Sequence, residues 1–266
     1  MDERRTDRPE PDAIWTPDVP WVADEPPPAI RDAPPDPLAP IDPNAPVSGH
    51  VPPPEPRIPV TELSAHDWTA AEPNLYPLLR PVGTVGIELA TIEPAALAAE
   101  GLKPHAEQLV DPGPAGLAVV YAIASGGFDV IVNAGHLLSW GVGPAEIRSA
   151  AFRNLAAWSA TAGWTAEESG IRRLLSSDTG DGWDASRILL PEVRELITRE
   201  VGATGGRVLV GLPERHLLVA GSLMAEDPEF ARLFGEFIIE HSGGADEPID
   251  RRVFELVGGE LVPFAG

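Results

Sequence analysis

The chain has 266 residues, a formal net charge of −22 and no Cys, which excludes disulfides, thiolate catalysis and Cys-based zinc sites. Its length suits one large domain or two small ones. The acidic excess repels phosphate backbones and anionic lipid, and no basic stripe interrupts it, so we expect neither a nucleic-acid nor a membrane partner.

Proline is concentrated at the N-terminus. Residues 1–60 hold 18 of the 31 Pro, with 12 of the 41 acidic and five of the 19 basic side chains. Because so little apolar material cannot offset the conformational entropy, we predict a disordered, polyproline II-like arm over 1–60. Residues 61–266 are enough to bury a core and form the predicted folded domain. The first residues lack the apolar region of a secretory signal, so we expect a cytoplasmic protein.

Two aromatic residues mark this arm. Trp15 and Trp21 lie in the stretch IWTPDVPW. Aromatic side chains are unusual in disordered segments and can anchor a partner. The arm is therefore a candidate site for a protein partner, although the two Trp are equally compatible with composition alone.

The first half of the domain reads as strands with one short helix. TVGIELATI (84–92) predicts a strand, and EPAALAAEGL (93–102) predicts a helix with Pro94 in its first turn. The apolar stretch 113–142 is long enough to suggest a membrane segment. Its central Asp129 and the preceding Gly pair instead favour a buried hairpin, GLAVVYAIA followed by FDVIVNA.

Three longer helices alternate with strands in the second half. The first runs from Pro144 to about Thr161 and carries one apolar stripe. The second begins at Pro191 and ends near Gly202, and the third begins at Asp227-Pro228-Glu229. The helical stripes comprise Ile147, Ala151, Leu155 and Trp158; Val193, Leu196, Ile197 and Val201; and Phe230, Leu233, Phe234, Phe237, Ile238 and His241.

The strands of this half are short. Residues 162–179 are ambiguous between helix and strand, and ASRILL (185–190) predicts a strand. RVLVGLP and RHLLVAGSL predict two more, and the chain closes with a Gly-Gly hairpin whose last strand contains Pro263 and is an expected edge. Because no regular βαβ repeat is present, the expected fold class is α+β, a mixed or antiparallel sheet with three main helices packed on it.

The stretch GDGWDASRILLPEV (180–193) is the first candidate site. Asp178, Asp181 and Asp184 are spaced by three, but Gly residues occupy the alternate positions where a calcium loop needs oxygen ligands. The simplest interpretation is a turn held by local side-chain hydrogen bonds. The alternative is a polar cleft lined by Asp184, Ser186 and Arg187.

Arg215 and His216, in PERHLLVAGS, are the second candidate. The imidazole could act as a general base and the guanidinium could hold an anion. A triad of Ser186, Asp184 and His216 lacks the supporting G-x-S-x-G pattern. The candidate ligand-binding residues are Asp184, Ser186, Arg187, Arg215 and His216. With no H-E-x-x-H motif and no phosphate loop, we expect no metal and no cofactor.

Four segments in series resemble the YtpQ-like family of bacterial proteins over residues about 70–266. Trp183 stands at the aromatic position of the family's G-Y-[DE]-A-S-R-[IL]-L segment, and His216 replaces the Asp of a V-x-x-P-x-x-D-x-L segment. The resemblance implies a compact soluble bacterial domain and no particular reaction. The segments are LYPLLRPVG (75–83), IRSAAFRNLAAW (147–158), GDGWDASRILL (180–190) and VLVGLPERHLLVAGS (208–222), followed by the terminal FELVGGELVPF (254–264).

The functional expectation is a non-enzymatic protein-binding or scaffold domain. It follows from a well-marked core without an assembled catalytic constellation. The alternative is a hydrolase-type enzyme with a polar cleft around Asp184, Ser186, Arg187 and His216. Convergence of those four side chains on one concave point would favour the enzyme.

Overall fold

The computed structural model describes residues 66–93, 95, 96, 99, 107–124 and 128–266. The predicted arm over 1–60, with Trp15 and Trp21, lies outside the described residues. Most of the predicted helix at 93–102 also lies outside them.

The domain is α+β, but its strands form two sheets where one was expected. In the first sheet the order is β1-β4-β3-β2, and β5 pairs with the second half of β4. The β2–β3 pair is parallel and the other pairs are antiparallel. Its strands are β1 (Leu75–Arg80), β2 (Ile87–Glu88), β3 (Leu109–Pro112), β4 (Ala118–Ala124) and β5 (Asp129–Ile131).

The hairpin predicted across 116–134 is confirmed, since β4 and β5 pair in antiparallel register. The strand predicted at 84–92 is much shorter than expected. Only β2 is extended, after which Leu89–Thr91 forms one 3-10 turn. That turn directs Leu89 fully into the core, and burying this side chain offsets the lost strand pairing.

The second sheet is antiparallel throughout, in the order β11-β10-β8-β9-β7-β6. The ambiguous region 162–179 forms the hairpin β6–β7. The strand containing Pro263 is at the edge, as predicted. The strands are β6 (Thr165–Ser169), β7 (Arg172–Ser177), β8 (Arg207–Glu214), β9 (Leu217–Leu223), β10 (Val253–Val257) and β11 (Glu260–Pro263).

Five α-helices occur within the described residues, and the three long ones lie where the sequence predicts them. The two short ones were not predicted, because four and seven residues are too few to show a helical period. None of the described helices has both the length and the apolar character needed to cross a bilayer. The helices are α1 (Trp68–Ala71), α2 (Ala134–Trp140), α3 (Pro144–Thr161), α4 (Pro191–Val201) and α5 (Glu229–Gly244).

The stripe of α3 is buried except at its end. Ile147, Ala151 and Leu155 are fully buried, whereas Trp158 is only partly so. The indole Nε1 of Trp158 donates to Asp181 Oδ2 at 3.0 Å. Trp158, which shares the predicted stripe, therefore packs against the core but is only partly buried.

The strand predicted at 185–190 is wrong, because Ala185–Leu189 is a 3-10 helix. Asp184 has helical φ/ψ, and the Arg187 amide donates to its carbonyl. A short apolar run fits a buried turn as well as a strand. In this chain the side-chain bonds of Asp184 and Arg187, described below, favour the turn.

Helix α5 lies very close to one face of the second sheet. A Cβ at Gly211 would stand 2.0 Å from Ile238 Cδ1, and a Cβ at Gly221 would stand 2.6 Å from Phe230 Cζ. These two strand glycines therefore let the helix dock directly on the backbone. The main core draws side chains from both sheets, and a second cluster under α5 comprises Leu209, Leu217, Val219, Phe230, Phe234 and Ile238.

Candidate functional site

The four segments that carry the family resemblance contact one another. Strand β1 is an edge of the first sheet, and two side chains cover its backbone. Asn154 of α3 donates from Nδ2 to Leu75 O at 2.9 Å, and the Leu79 amide donates to Ser186 Oγ at 3.1 Å. Beside them, the rings of Tyr76 and Trp183 stack at 4.5 Å. Mutual packing thus gives these segments a physical reason to occur together.

Arg187 is the centre of this arrangement, and only 1% of it is exposed. Its guanidinium donates five hydrogen bonds, and it lies 3.9 Å from the centre of the Trp164 ring. Three of the acceptors are backbone carbonyls at the end of α3, so Arg187 caps that helix. Burial lowers the pKa of Arg187 to about 10, and the charge of Asp184 opposes that change. The acceptors are Ser159 Oγ and O, Ala162 O, Gly163 O and Ser177 Oγ.

Asp184 is joined to Arg187 through a hydroxyl. Ser177 Oγ donates to Asp184 Oδ1 at 2.5 Å and accepts from Arg187 Nη1 at 2.6 Å. Asp184 also accepts from the amide and the hydroxyl of Thr179. Asp184 and Arg187 are therefore linked only through Ser177, and the carboxylate holds the turn by the local side-chain bonds that the sequence suggested.

Arg215 is the hub of a second, partly exposed network. It forms ion pairs with Asp129 at 2.6 Å and with Glu247 at 2.7 Å, and Glu247 also binds Arg80 at 2.6 Å. Burial favours a raised pKa for Glu247, but the two guanidinium groups outweigh it and hold that pKa below its ordinary value. Gly182 lies against the guanidinium, where a Cβ would come within 2.6 Å of Arg215 Nη2. Arg215 therefore ties the two sheets and the 180–190 loop together.

The five candidate ligand-binding residues do not form one cleft. Asp184, Ser186 and Arg187 are 0–2% exposed, and their polar groups are bound within the protein. Among the described residues, no hydrogen bond joins His216 to Asp184 or Ser186. The triad geometry is absent from this structure, because the turn at 185–189 points these side chains into the core.

His216 lines a different cavity, of about 450 Å³, at the C-terminal end of α5. Four carboxylates and a second imidazole also line this cavity. Glu247 is engaged by Arg80 and Arg215, whereas the other three carboxylates form no ion pair within the described part of the chain. The lining residues include Glu214, His216, Glu240, His241, Asp246 and Glu247.

Another cavity, of about 500 Å³, lies beside β3. Asp111 accepts there from Tyr121 Oη at 2.5 Å and from two nitrogens of Arg148 at 2.7 and 2.5 Å. Burial raises the pKa of Tyr121, and its hydrogen bond to Asp111 raises that pKa further. The trio holds α3 against the first sheet, and its polar atoms are directed at one another.

An apolar groove of about 320 Å³ lies between α5 and the hairpin β6–β7. Leu233 and Phe237 line it and are 37% and 38% exposed, although the sequence placed them on a core stripe. Helical spacing reveals which residues share a face, but it does not reveal what covers that face. The groove residues are Glu167, Glu168, Ser169, Arg172, Leu174, Val219, Phe230, Leu233, Phe234 and Phe237.

The basic and acidic side chains near this groove differ in whether they are paired. Arg172 is held by Asp227 through two hydrogen bonds of 2.5 and 2.9 Å, and the Arg172 hydrogen bonds lower the pKa of Asp227. Glu167 forms no ion pair with any described residue. At the far end, the ring of Phe237 lies 4.1 Å from that of His241, which lines the acidic cavity. The groove, defined by the ten residues above, therefore has the acidic cavity as its neighbour along α5, and the contact between Phe237 and His241 lies between the two.

No family model, no curated protein and no solved structure matches this chain. Within the described residues, no group of three or more His, Asp or Glu is arranged to hold a metal ion.

Proposed function

We propose that the domain is a non-enzymatic protein-binding domain and that the groove between α5 and β6–β7 is its binding surface. The observation that carries this proposal is the exposure of Leu233 and Phe237 beside the buried rings of Phe230 and Phe234. Concave apolar surface left uncovered is typical of interaction sites. A partner that filled the groove would bury both exposed side chains, which favours binding by about 25 cal/mol per Å² of apolar surface removed from water.

The placement of the polar candidates supports a non-enzymatic role. A catalytic group must reach its substrate, whereas Asp184, Ser186 and Arg187 are enclosed and hydrogen-bonded internally. His216 remains accessible, but its cavity brings carboxylates to it and no Ser or Thr side chain. The accessible His216 therefore has no hydroxyl nucleophile among the residues that line its cavity.

The remaining expectations are part of the same proposal. We propose membership of the YtpQ-like family, since the segments that carry the resemblance contact each other through Asn154, Ser186 and Trp183. We also propose a cytoplasmic location and a second partner contact through the Pro-rich segment 1–60, with Trp15 and Trp21 as its anchors.

A random peptide library displayed on phage tests the proposed binding surface. The full-length chain would select peptides, which are then measured against Phe237→Ser and, on the same helix, Ile239→Ser. Ile239 is 55% exposed and does not line the groove, so it is a matched control. Selected peptides should bind the wild type and the control equally and the Phe237 variant at least about tenfold more weakly. Selection of no peptide, or of peptides indifferent to Phe237, would refute the proposal.

A further inference from the structure

The strip of sheet beside α5 is about as wide as one α-helix. On the face of the second sheet that carries α5, the strands β7 and β6 lie beside the helix and provide the opposite wall. Adjacent strands are about 4.8 Å apart, so two strands offer a strip about 10 Å wide. An α-helix with its side chains has a diameter of about 10–12 Å. A second helix placed next to α5 would therefore cover this strip.

The charges select the chemistry of that helix. Glu167 pairs across the strands with Leu174, which places its side chain on the same face as the groove floor. At the other end, Glu214, Glu240 and Asp246 surround the acidic cavity without an ion-pair partner among the described residues. The C-terminal end of α5 adds its own partial negative charge there. A ligand with a positive end is favoured.

We propose that the groove binds an amphipathic helix of a partner protein, with its apolar stripe on Phe237 and Leu233 and a Lys/Arg-rich end over the acidic cavity. This inference rests on the proposed function, since it names the class of partner for the same surface. The stripe supplies the affinity by burying apolar area, and the basic end fixes the direction of the bound helix.

An extended peptide on the sheet edge would leave the groove open. Strand β6 is an edge strand, and all five of its residues are exposed. A strand added to β6 would extend the sheet sideways, away from α5, and Phe237 would stay in water. The exposed apolar side chains are on α5, so the occupant must lie between α5 and β6.

A second copy of this chain is a poor occupant because its charge is wrong. Residues 61–266 carry 29 acidic and 14 basic side chains, and those basic residues include ones already paired. In a dimer formed through this groove, the carboxylates around the acidic cavity would face an acidic surface of the second copy and repel it. The partner must therefore bring the positive charge that this domain lacks.

Four synthetic peptides of about 18 residues, or about five helical turns, test the inference. The first has Leu at helical spacing and a Lys-rich end. The second replaces the Lys by Glu, the third has a central Pro that breaks the helix, and the fourth is a scrambled version of the first. Binding of each labelled peptide to the full-length chain is measured by fluorescence anisotropy, and helix formation by circular dichroism.

The first peptide should bind at least about tenfold more tightly than the other three, with affinity that falls as salt rises. Phe237→Ser and Glu240→Lys should each weaken it, while Ile239→Ser and the exposed Glu195→Lys on α4 should not. If the chain instead prefers the Glu-rich, Pro-containing or scrambled peptide, and the Phe237→Ser variant no longer binds that peptide, the inference is overturned and the proposed function is kept. If Phe237→Ser changes the binding of no peptide, both are overturned.

Discussion

Replacing Arg187 by Lys keeps the positive charge but removes the planar guanidinium group with its several N–H donors. The five hydrogen bonds of Arg187 diverge from three nitrogens to four residues, Ser159, Ala162, Gly163 and Ser177. A Lys ammonium has three donors on one nitrogen and cannot reach acceptors on all sides of the site. The acceptors that it misses are buried and lose their partners.

The expected cost follows from the number of bonds lost. A buried polar group left without its partner costs about 1–3 kcal/mol. The loss of two or more such bonds predicts that Arg187→Lys lowers the free energy of unfolding by about 3–5 kcal/mol. Burial also disfavours a charged ammonium, so the substituted Lys should have a lowered pKa.

Urea unfolding followed by Trp fluorescence measures this cost, since Trp164 lies against the guanidinium. The control is Arg173→Lys on the neighbouring strand, where the side chain is partly exposed and binds Glu168 and Glu200 O. An exposed pair is worth about 0–1 kcal/mol, so this variant should be nearly neutral. Equal effects of the two substitutions, or a loss below about 1 kcal/mol at Arg187, would refute the reasoning.

Three other changes test the core and one cap. Gly221→Ala should cost about 1–3 kcal/mol in urea unfolding because its methyl group would clash with Phe230, whereas Gly163→Ala, in open space, should stay within about 0.5 kcal/mol of neutral. Phe254→Ala, in a fully buried site, should cost about 3–5 kcal/mol, and a loss below about 1 kcal/mol would contradict its place in the core. Burial lowers the pKa of His136, so protonation favours the unfolded chain, and stability should fall as pH decreases from about 7 to about 5.5. His136→Gln keeps a capping acceptor and should flatten that slope; an unchanged slope would assign it to other groups.

The long elements could be predicted because their apolar spacing is repeated over several turns. Helix α3 is found over the predicted residues, and the third long helix begins at Glu229, within the predicted start Asp227-Pro228-Glu229. The hairpin β6–β7 was ambiguous because all residues of β6 are exposed, so no apolar alternation marks it. Two sheets could not be told from one, since strand spacing along the chain does not specify which strands pair across it.

The candidate site was predicted in part. The turn predicted around Asp178–Asp184 is present, but residues 185–190 were predicted as a strand and Ala185–Leu189 instead form a 3-10 helix. The polar residues of this stretch were candidates for a cleft and are instead in the core. The sequence could not show that Asn154 covers the backbone of Leu75, because the two are 79 residues apart. The groove could not be predicted for a similar reason. The helical spacing of Phe237 is that of a core residue, and only the structure shows that nothing covers this side chain within the described residues.

Ser186 and Arg187 are neighbours in sequence, and together they connect the two sheets. Ser186 holds Leu79 in the first sheet, while Arg187 holds the end of α3 and the hydroxyl of Ser177 in the second. Separating the two sheets would expose the core that they share and leave the buried guanidinium of Arg187 without its hydrogen-bond partners. We therefore expect that neither sheet unfolds by itself. The domain should therefore unfold in one cooperative transition, and a chain cut between α3 and β6 should yield two fragments that stay associated until both denature together.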